Sequence, residues 1–186
     1  MKEALVIVDM QRDFMPGGSL PVPDGDKIVP RLNEYVKLFM ERGAKVFATK
    51  DWHPPNHKSF KEHGGPWPRH CVQGTEGAEL HPDLKLPEDA EIVHKATKPD
   101  EEAYSAFQGT DFASRLRELG IDRIYVGGVA TEYCVKATVL DGLRLGFEVY
   151  LLLDAIKGVR AEDAERAVEE MKGAGAKPIT LSQLKG

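Results

Sequence analysis

A chain of 186 residues, 41% hydrophobic and 30% charged, has the make-up of a cored globular protein and suits one domain over residues 1–186. Its formal net charge of −5, with no cluster of Lys or Arg, excludes a dedicated nucleic-acid binder. The apolar run near the start is too short for a secretory core and none approaches membrane-spanning length. Two cysteines, Cys71 and Cys134, cannot make a disulfide framework, so a cytoplasmic protein with free thiols is expected, with no membrane partner.

Residues 4–8, ALVIV, form an all-apolar run rich in β-branched residues, which reads as a strand buried on both faces and ending at Asp9. Between Asp26 and Arg42 the apolar positions Ile28, Leu32, Tyr35, Val36 and Phe39 recur at helical spacing, and Gly43 is placed to stop the helix. The run AKVFAT then leads to Asp51 as a second strand. Further along come a strand at 91–94, a helix at 110–119, a strand at 123–129 and a helix at 131–145. A strand at 147–153, a helix at 161–172 and a weaker strand near 177–181 complete the pattern. Strands alternating with helices predict an α/β fold: a doubly wound, mostly parallel six-stranded sheet with helices on both faces, a Rossmann-like three-layer sandwich. The pair Gly127 and Gly128 lacks G-x-G-x-x-G spacing and no G-K-[ST] occurs, so neither a dinucleotide site nor a P-loop is expected.

One crossover departs from this rhythm. Residues 51–90 are rich in Pro, Gly and His and lack helical periodicity, as functional loops do. All six histidines, His53, His57, His63, His70, His81 and His94, lie in this crossover or on the strand after it.

Ligands of open α/β sheets bind beyond the carboxyl ends of the strands. Those ends carry Asp9, Asp51 and Lys95, with Cys134 shortly after the fourth strand. With Thr131 as N-cap, Cys134 falls in the first helical turn, where unpaired N–H groups and the helix dipole favour a thiolate. Position alone leaves Cys134 open between a packed small hydrophobe and a nucleophile. Asp9 can cap a turn or act as a base, and Lys95 can be a surface lysine or a cation beside the thiol. Together the three satisfy the recipe for an activated nucleophile.

Asp51-x-His53 places two ligand-type side chains on one face of an extended segment, and His70 follows in GGPWPRHC, a loop stiffened by prolines. One carboxylate and two imidazoles suit Zn, Fe or Mn, the alternative being an Asx-type turn with a capping histidine. Cys71 is expected to pack, and His57, His63 and His81 to be solvated rather than ligating. The loop aromatics Phe14, Trp52, Trp67 and Tyr104 can wall a flat apolar pocket or simply anchor loops.

The segments ALVIVDMQRDFMPGGSLPV, ATKDWHPPNHKSF, WPRHCVQGTEGAEL, VHKATKPDEEAYSAFQGTD and GGVATEYCVKATVLDGL agree in order and spacing with one family. Over nearly its whole length the chain resembles the nicotinamidase (pyrazinamidase) branch, archaeal type, of the isochorismatase-like cysteine hydrolases. The resemblance implies hydrolysis of nicotinamide to nicotinate and ammonia through a cysteine thioester, a step of NAD salvage, with pyrazinamide-like amides as further substrates. It implies a triad of Asp9 as proton acceptor and donor, Lys95 as polarising cation and Cys134 as nucleophile. It also implies one divalent metal ion, zinc with Fe or Mn as alternatives, on Asp51, His53 and His70, orienting the substrate through its pyridine nitrogen. A cis peptide before Ala130, an oxyanion hole of the Ala130 and Cys134 N–H groups, and a pocket of Phe14, Leu20, Trp67, Tyr104, Val129 and Ala130 follow from the same likeness. His57 sits at a different spacing from the extra histidine of some relatives and is left out of the metal shell. A homo-oligomer is left open. The alternatives are an amidohydrolase of N-carbamoyl or ureido compounds, relatives that usually lack the metal residues, and a non-catalytic metal-binding module on the same fold.

Overall fold

A computed structural model describes residues 2–186. In chain order it contains β1 (Lys2–Val8), α1 (Val29–Glu41), β2 (Lys45–Asp51), β3 (Glu91–Lys95), α2 (Phe112–Glu118), β4 (Ile121–Val129), α3 (Lys136–Arg144), β5 (Glu148–Lys157), α4 (Ala161–Gly173), β6 (Lys177–Ile179) and α5 (Leu181–Lys185). The six strands make one sheet in the order β3-β2-β1-β4-β5-β6, and every neighbouring pair is parallel. The strand order reverses between β1 and β4, which places the ligand crevice of such sheets beyond their carboxyl ends.

The central strand shows why an unbroken apolar run was needed. Ala4 through Val8 are all excluded from solvent, and because side chains alternate across a strand, they feed two cores. Val6 and Val8 pack with Phe112, Leu116, Val139 and Met171 from α2, α3 and α4. Leu5 and Ile7 pack on the other face with Leu32, Tyr35 and Phe39 of α1 and Leu181 of α5. Each such side chain contributes roughly 1.5–3 kcal/mol by leaving water. Among the described residues no helix is long and apolar enough to cross a membrane.

The differences from the sequence reading lie at element ends. A short 3₁₀ turn, Gly25–Ile28, precedes α1, and Pro30 sits in its first turn, where a missing N–H costs nothing. The helix expected over 131–145 is a π-type turn, Thr131–Val135, leading into α3. Ala130, with φ −94° and ψ 142°, is the extended residue entering it. Thr131 is therefore inside the turn and is not the N-cap. Strand β5 runs four residues beyond the expected end, and the short α5 was not anticipated. Its start is held by the Gln183 side-chain oxygen, which accepts the Thr180 N–H at 2.9 Å.

The 51–90 crossover is irregular but well tied. Its 3₁₀ turns at Lys61–His63 and Glu76–Ala78 are joined by isolated bridges pairing His53 with Val72 and Phe60 with Trp67. Buried Gln11 anchors it to the end of β2. Its side chain accepts the Asp51 N–H at 2.9 Å and donates to the Asp51 carbonyl at 2.8 Å and the Ala78 carbonyl at 2.9 Å.

Candidate active site

Three strand ends and one helical turn meet at a single buried ammonium. Lys95, the last residue of β3, reaches Asp9 Oδ2 at 2.8 Å, Asp51 Oδ1 at 2.7 Å and Cys134 Sγ at 3.3 Å. Its side chain is completely excluded from solvent, so the surface-lysine alternative does not hold. Asp9 leaves β1 in the left-handed region, φ 52°, and its Oδ1 accepts the Thr49 hydroxyl at 2.6 Å. Gly128 supplies the space between β1 and β4 here. Its φ is +114°, and a Cβ on it would strike the backbone of Val8.

Burying one cation with two carboxylates is costly unless the charges are mutually satisfied. Burial alone would lower the Lys95 pKa, but attraction to Asp51 and then Asp9 outweighs it and holds the ammonium protonated, well above its usual value. Burial likewise pushes the Asp51 carboxyl up, yet attraction to Lys95 prevails and keeps it ionised below the usual range. At Asp9 burial wins over Lys95, with repulsion from Asp51 added, so this carboxyl is raised. Cys134 is pushed well above a free thiol by burial and by the charge of Asp9, against the pull of Lys95. The pull of the helix position toward a thiolate is thus outweighed, and the sulfur is held as a thiol. It needs a base, and the raised Asp9 carboxylate is beside it.

The second carboxylate oxygen of Asp51 faces two imidazoles. Oδ2 is 3.5 Å from His53 Nε2 and 3.9 Å from His70 Nε2, and the ligating atoms of all three residues lie within 4.8 Å of one another. His53 Nδ1 donates to the Ala96 carbonyl at 3.0 Å and His70 Nδ1 to the Pro68 carbonyl at 2.8 Å. A carbonyl can only accept, so each neutral ring carries its proton on Nδ1 and turns an Nε2 lone pair inward. One carboxylate and two converging, buried imidazole lone pairs fit a zinc-type cation. Asp9, Asp51 and Cys134 also lie within ligand distance of one another, but there the cation is the Lys95 ammonium. Sequence reading placed Asp51 only in the metal set; the structure adds the contact with Lys95.

His57 departs from expectation in another way. It is fully buried, not solvated, and stacks on His53 with ring centroids 4.1 Å apart. Nε2 donates to the Glu101 carbonyl at 2.6 Å and Nδ1 is bonded to Ser59 Oγ at 2.7 Å. Both nitrogens are engaged, so His57 braces His53 from behind. His63 and His94 are exposed and His81 half-buried. Buried Cys71 packs, as expected, and its N–H donates to Asp13 Oδ2 at 2.8 Å.

Phe14, Leu20, Trp67, Tyr104, Val129 and Ala130 line one cavity, into which Asp9, Cys134, Asp51, His53 and His70 also open. Trp52 stands apart, against His94 and Lys50. The Trp67 indole N–H donates to the Tyr104 hydroxyl at 3.1 Å. Tyr133 completes an aromatic wall, with centroids 5.6 Å from Trp67 and 6.0 Å from Tyr104. The Val129–Ala130 peptide is cis. The Ala130 carbonyl accepts the N–H groups of Tyr133 at 3.0 Å and Val135 at 3.2 Å, the donors on either side of Cys134. Tyr133, Val22 and Val159 also line the cavity and were not foreseen. Adjacency to Cys134 pointed to Tyr133, whereas nothing local marked Val159.

The chain is similar to known proteins over nearly its whole length. An isochorismatase domain matches residues 3–183. The nicotinamidase of Escherichia coli (strain K12) is 42% identical, covering 96% of this chain and 95% of its own length. The crystal structure of the Pyrococcus horikoshii pyrazinamidase in complex with zinc is 64% identical, with a TM-score of 0.95 over 97% of this chain and 100% of that one. PnC1 from L. infantum in complex with nicotinate is 37% identical, with a TM-score of 0.92 over 98% and 94% of the two chains.

Proposed function

The chain belongs to the isochorismatase domain family, and from that premise we propose that it is a nicotinamidase, hydrolysing nicotinamide to nicotinate and ammonia in the cytoplasm, with residues 1–186 acting as one hydrolase domain. The observation that carries the reading is the single buried Lys95 ammonium within 2.8 Å of Asp9 and 3.3 Å of Cys134, two residues that open into an aromatic-walled cleft.

In this mechanism Asp9 removes the proton of Cys134, and the sulfur attacks the carboxamide carbon. Lys95 stays protonated throughout and offsets the negative charge shared by Asp9 and the thiolate. The backbone N–H groups of Ala130 and Cys134 receive the oxyanion. Asp9, now protonated, gives its proton to the departing ammonia. It then takes a proton from a water molecule, whose oxygen attacks the thioester carbon, and returns that proton to the departing Cys134 sulfur, restoring the thiol and freeing the acid. Phe14, Trp67 and Tyr104 hold the flat ring and exclude bulk water. Asp51, His53 and His70 would hold a divalent ion, zinc in this reading, which when bound supplies a Lewis-acid anchor for the pyridine nitrogen.

An ammonia-release assay with nicotinamide, pyrazinamide and an N-carbamoyl compound, with and without a chelator, tests the proposal. Turnover of nicotinamide is expected, lost by about 10⁴-fold or more in Cys134→Ala, while that variant keeps its metal. Ammonia release by Cys134→Ala at the wild-type rate, or turnover of the N-carbamoyl compound alone, would overturn it.

A further inference from the structure

The residue two before Cys134 is bonded to a different part of the chain. Glu132 extends from the turn that carries the nucleophile to the segment joining β5 and α4. Its Oε1 accepts the Val159 N–H at 3.0 Å, and its Oε2 accepts the Val159 and Arg160 N–H groups at 3.1 and 3.0 Å. Gly158 makes this approach possible. A Cβ there would lie 2.8 Å from Glu132 Oε1 and 2.5 Å from the Ala164 Cβ. Val159, the residue so held, lines the cavity together with Tyr133 and Cys134. No other side chain joins the start of α4 to this turn by hydrogen bonds among the described residues.

We infer that Glu132 is a positioning residue: its carboxylate locks the Thr131–Val135 turn to the 158–160 segment and so sets both the aim of the Cys134 sulfur and N–H and the distance of the Val159 wall. A carboxylate on free N–H groups at a helix start also stabilises the helix. That role alone would raise thermal stability and leave turnover untouched. The lock does more, because the turn it holds carries the reacting atom, and displacements of about 1 Å at such positions cost about 100-fold in rate.

The inference rests on Cys134 being the nucleophile of an amide hydrolase, and its test separates the two. Glu132→Ala, Glu132→Gln and Gly158→Ala are compared with Glu169→Gly, which weakens α4 at an exposed interior position away from the lock. Each is assayed for kcat and KM on nicotinamide, well below its own melting temperature, and for the rate at which iodoacetamide alkylates Cys134.

Glu132→Ala and Gly158→Ala are expected to lower kcat about 10- to 100-fold, with a smaller change in KM, and to change the alkylation rate. Because Oε2 alone spans both N–H groups, the amide oxygen of Glu132→Gln should restore kcat to within about 3-fold of wild type. Glu169→Gly should melt lower at unchanged kcat. Should Glu132→Ala or Gly158→Ala fold and keep wild-type kcat and alkylation rate, or should Glu169→Gly lose kcat equally, the lock is only a helix cap and the inference is wrong. A wild-type protein that releases no ammonia from nicotinamide overturns the nicotinamidase reading instead. The alkylation rates then decide the lock on their own.

Discussion

Across the sheet from β3 to β6, six charged residues at or within two positions of the strand starts, Glu91, Lys45, Glu3, Arg123, Glu148 and Lys177, alternate in sign, whereas the strand ends gather Asp9 and Asp51 around one Lys95. At the beginnings the pairs are partly exposed: Lys45 to Glu91 at 3.1 Å, Arg123 to Glu3 at 3.9 Å, Arg123 to Glu148 at 3.1 Å and Lys177 to Glu148 at 2.8 Å. Such pairs each contribute only about 0–1 kcal/mol. Their value lies in order, since exchanging two strands or slipping one would set like charges side by side. At the ends the same charges are dry and carry an excess negative charge, an arrangement that opposes stability and is kept where chemistry needs it. One end of the strands specifies register and the other holds the proposed chemistry.

The sharpest way to break that contrast is Lys95→Met. It leaves two buried carboxylates without their cation and should cost about 3–5 kcal/mol of stability, seen as a lower denaturant midpoint, together with loss of ammonia release. Adding Asp9→Asn should recover much of the stability and none of the activity. A Lys95→Met protein as stable as wild type would show that the charges at the strand ends carry no strain.

A smaller effect is expected at the strand beginnings. Glu148→Lys sets a third cation between Arg123 and Lys177 and should destabilise by about 1–2 kcal/mol in urea unfolding, roughly two pair interactions of the kind found across strands, without changing kcat. A fall in kcat at intact folding would mean that the two ends are not independent.

The smallest effect concerns pH. The Arg115 hydrogen bond, helped by Lys45, holds the Glu91 carboxyl at about 2 against its usual 4.5. A depressed carboxyl adds stability above its unfolded pKa and loses it as the pH falls through its folded one. Glu91→Gln should therefore cost at most about 1 kcal/mol at pH 7, solvent screening the pair. The difference from wild type should shrink between pH 4.5 and 2 in paired denaturation curves. A gap that persists at pH 2 would assign the loss to packing.

Much of this was legible from the chain itself. The ALVIV run and the i, i+3, i+4 spacing of α1 are local patterns, and they specified a parallel strand and an amphipathic helix because burial follows the period of each element. Asp9, Lys95, Cys134, Asp51, His53 and His70 were identified from motif order. Other features resisted local reading because their partners are far off in sequence. Lys95 taken alone left a surface lysine and a cation beside the thiol equally open, because Asp9, which holds its ammonium, is 86 positions away. His57 looked solvated because Glu101, 44 positions on, is what buries it. Nothing near Glu132 or Val159 announces their contact. Helix position is local and favours a thiolate, whereas the burial and Asp9 charge that push the Cys134 thiol up are not local.

By itself, then, the sequence determined the α/β alternation and the open sheet and singled out the side chains proposed to react, since hydrophobic period and motif are properties of short segments. Only the tertiary structure decided that one ammonium serves two carboxylates, that Asp51 faces Lys95 with one oxygen and the imidazoles with the other, and that Cys134 rests as a thiol. Each of these depends on distance and on exclusion of water, which exist only once the strands lie side by side.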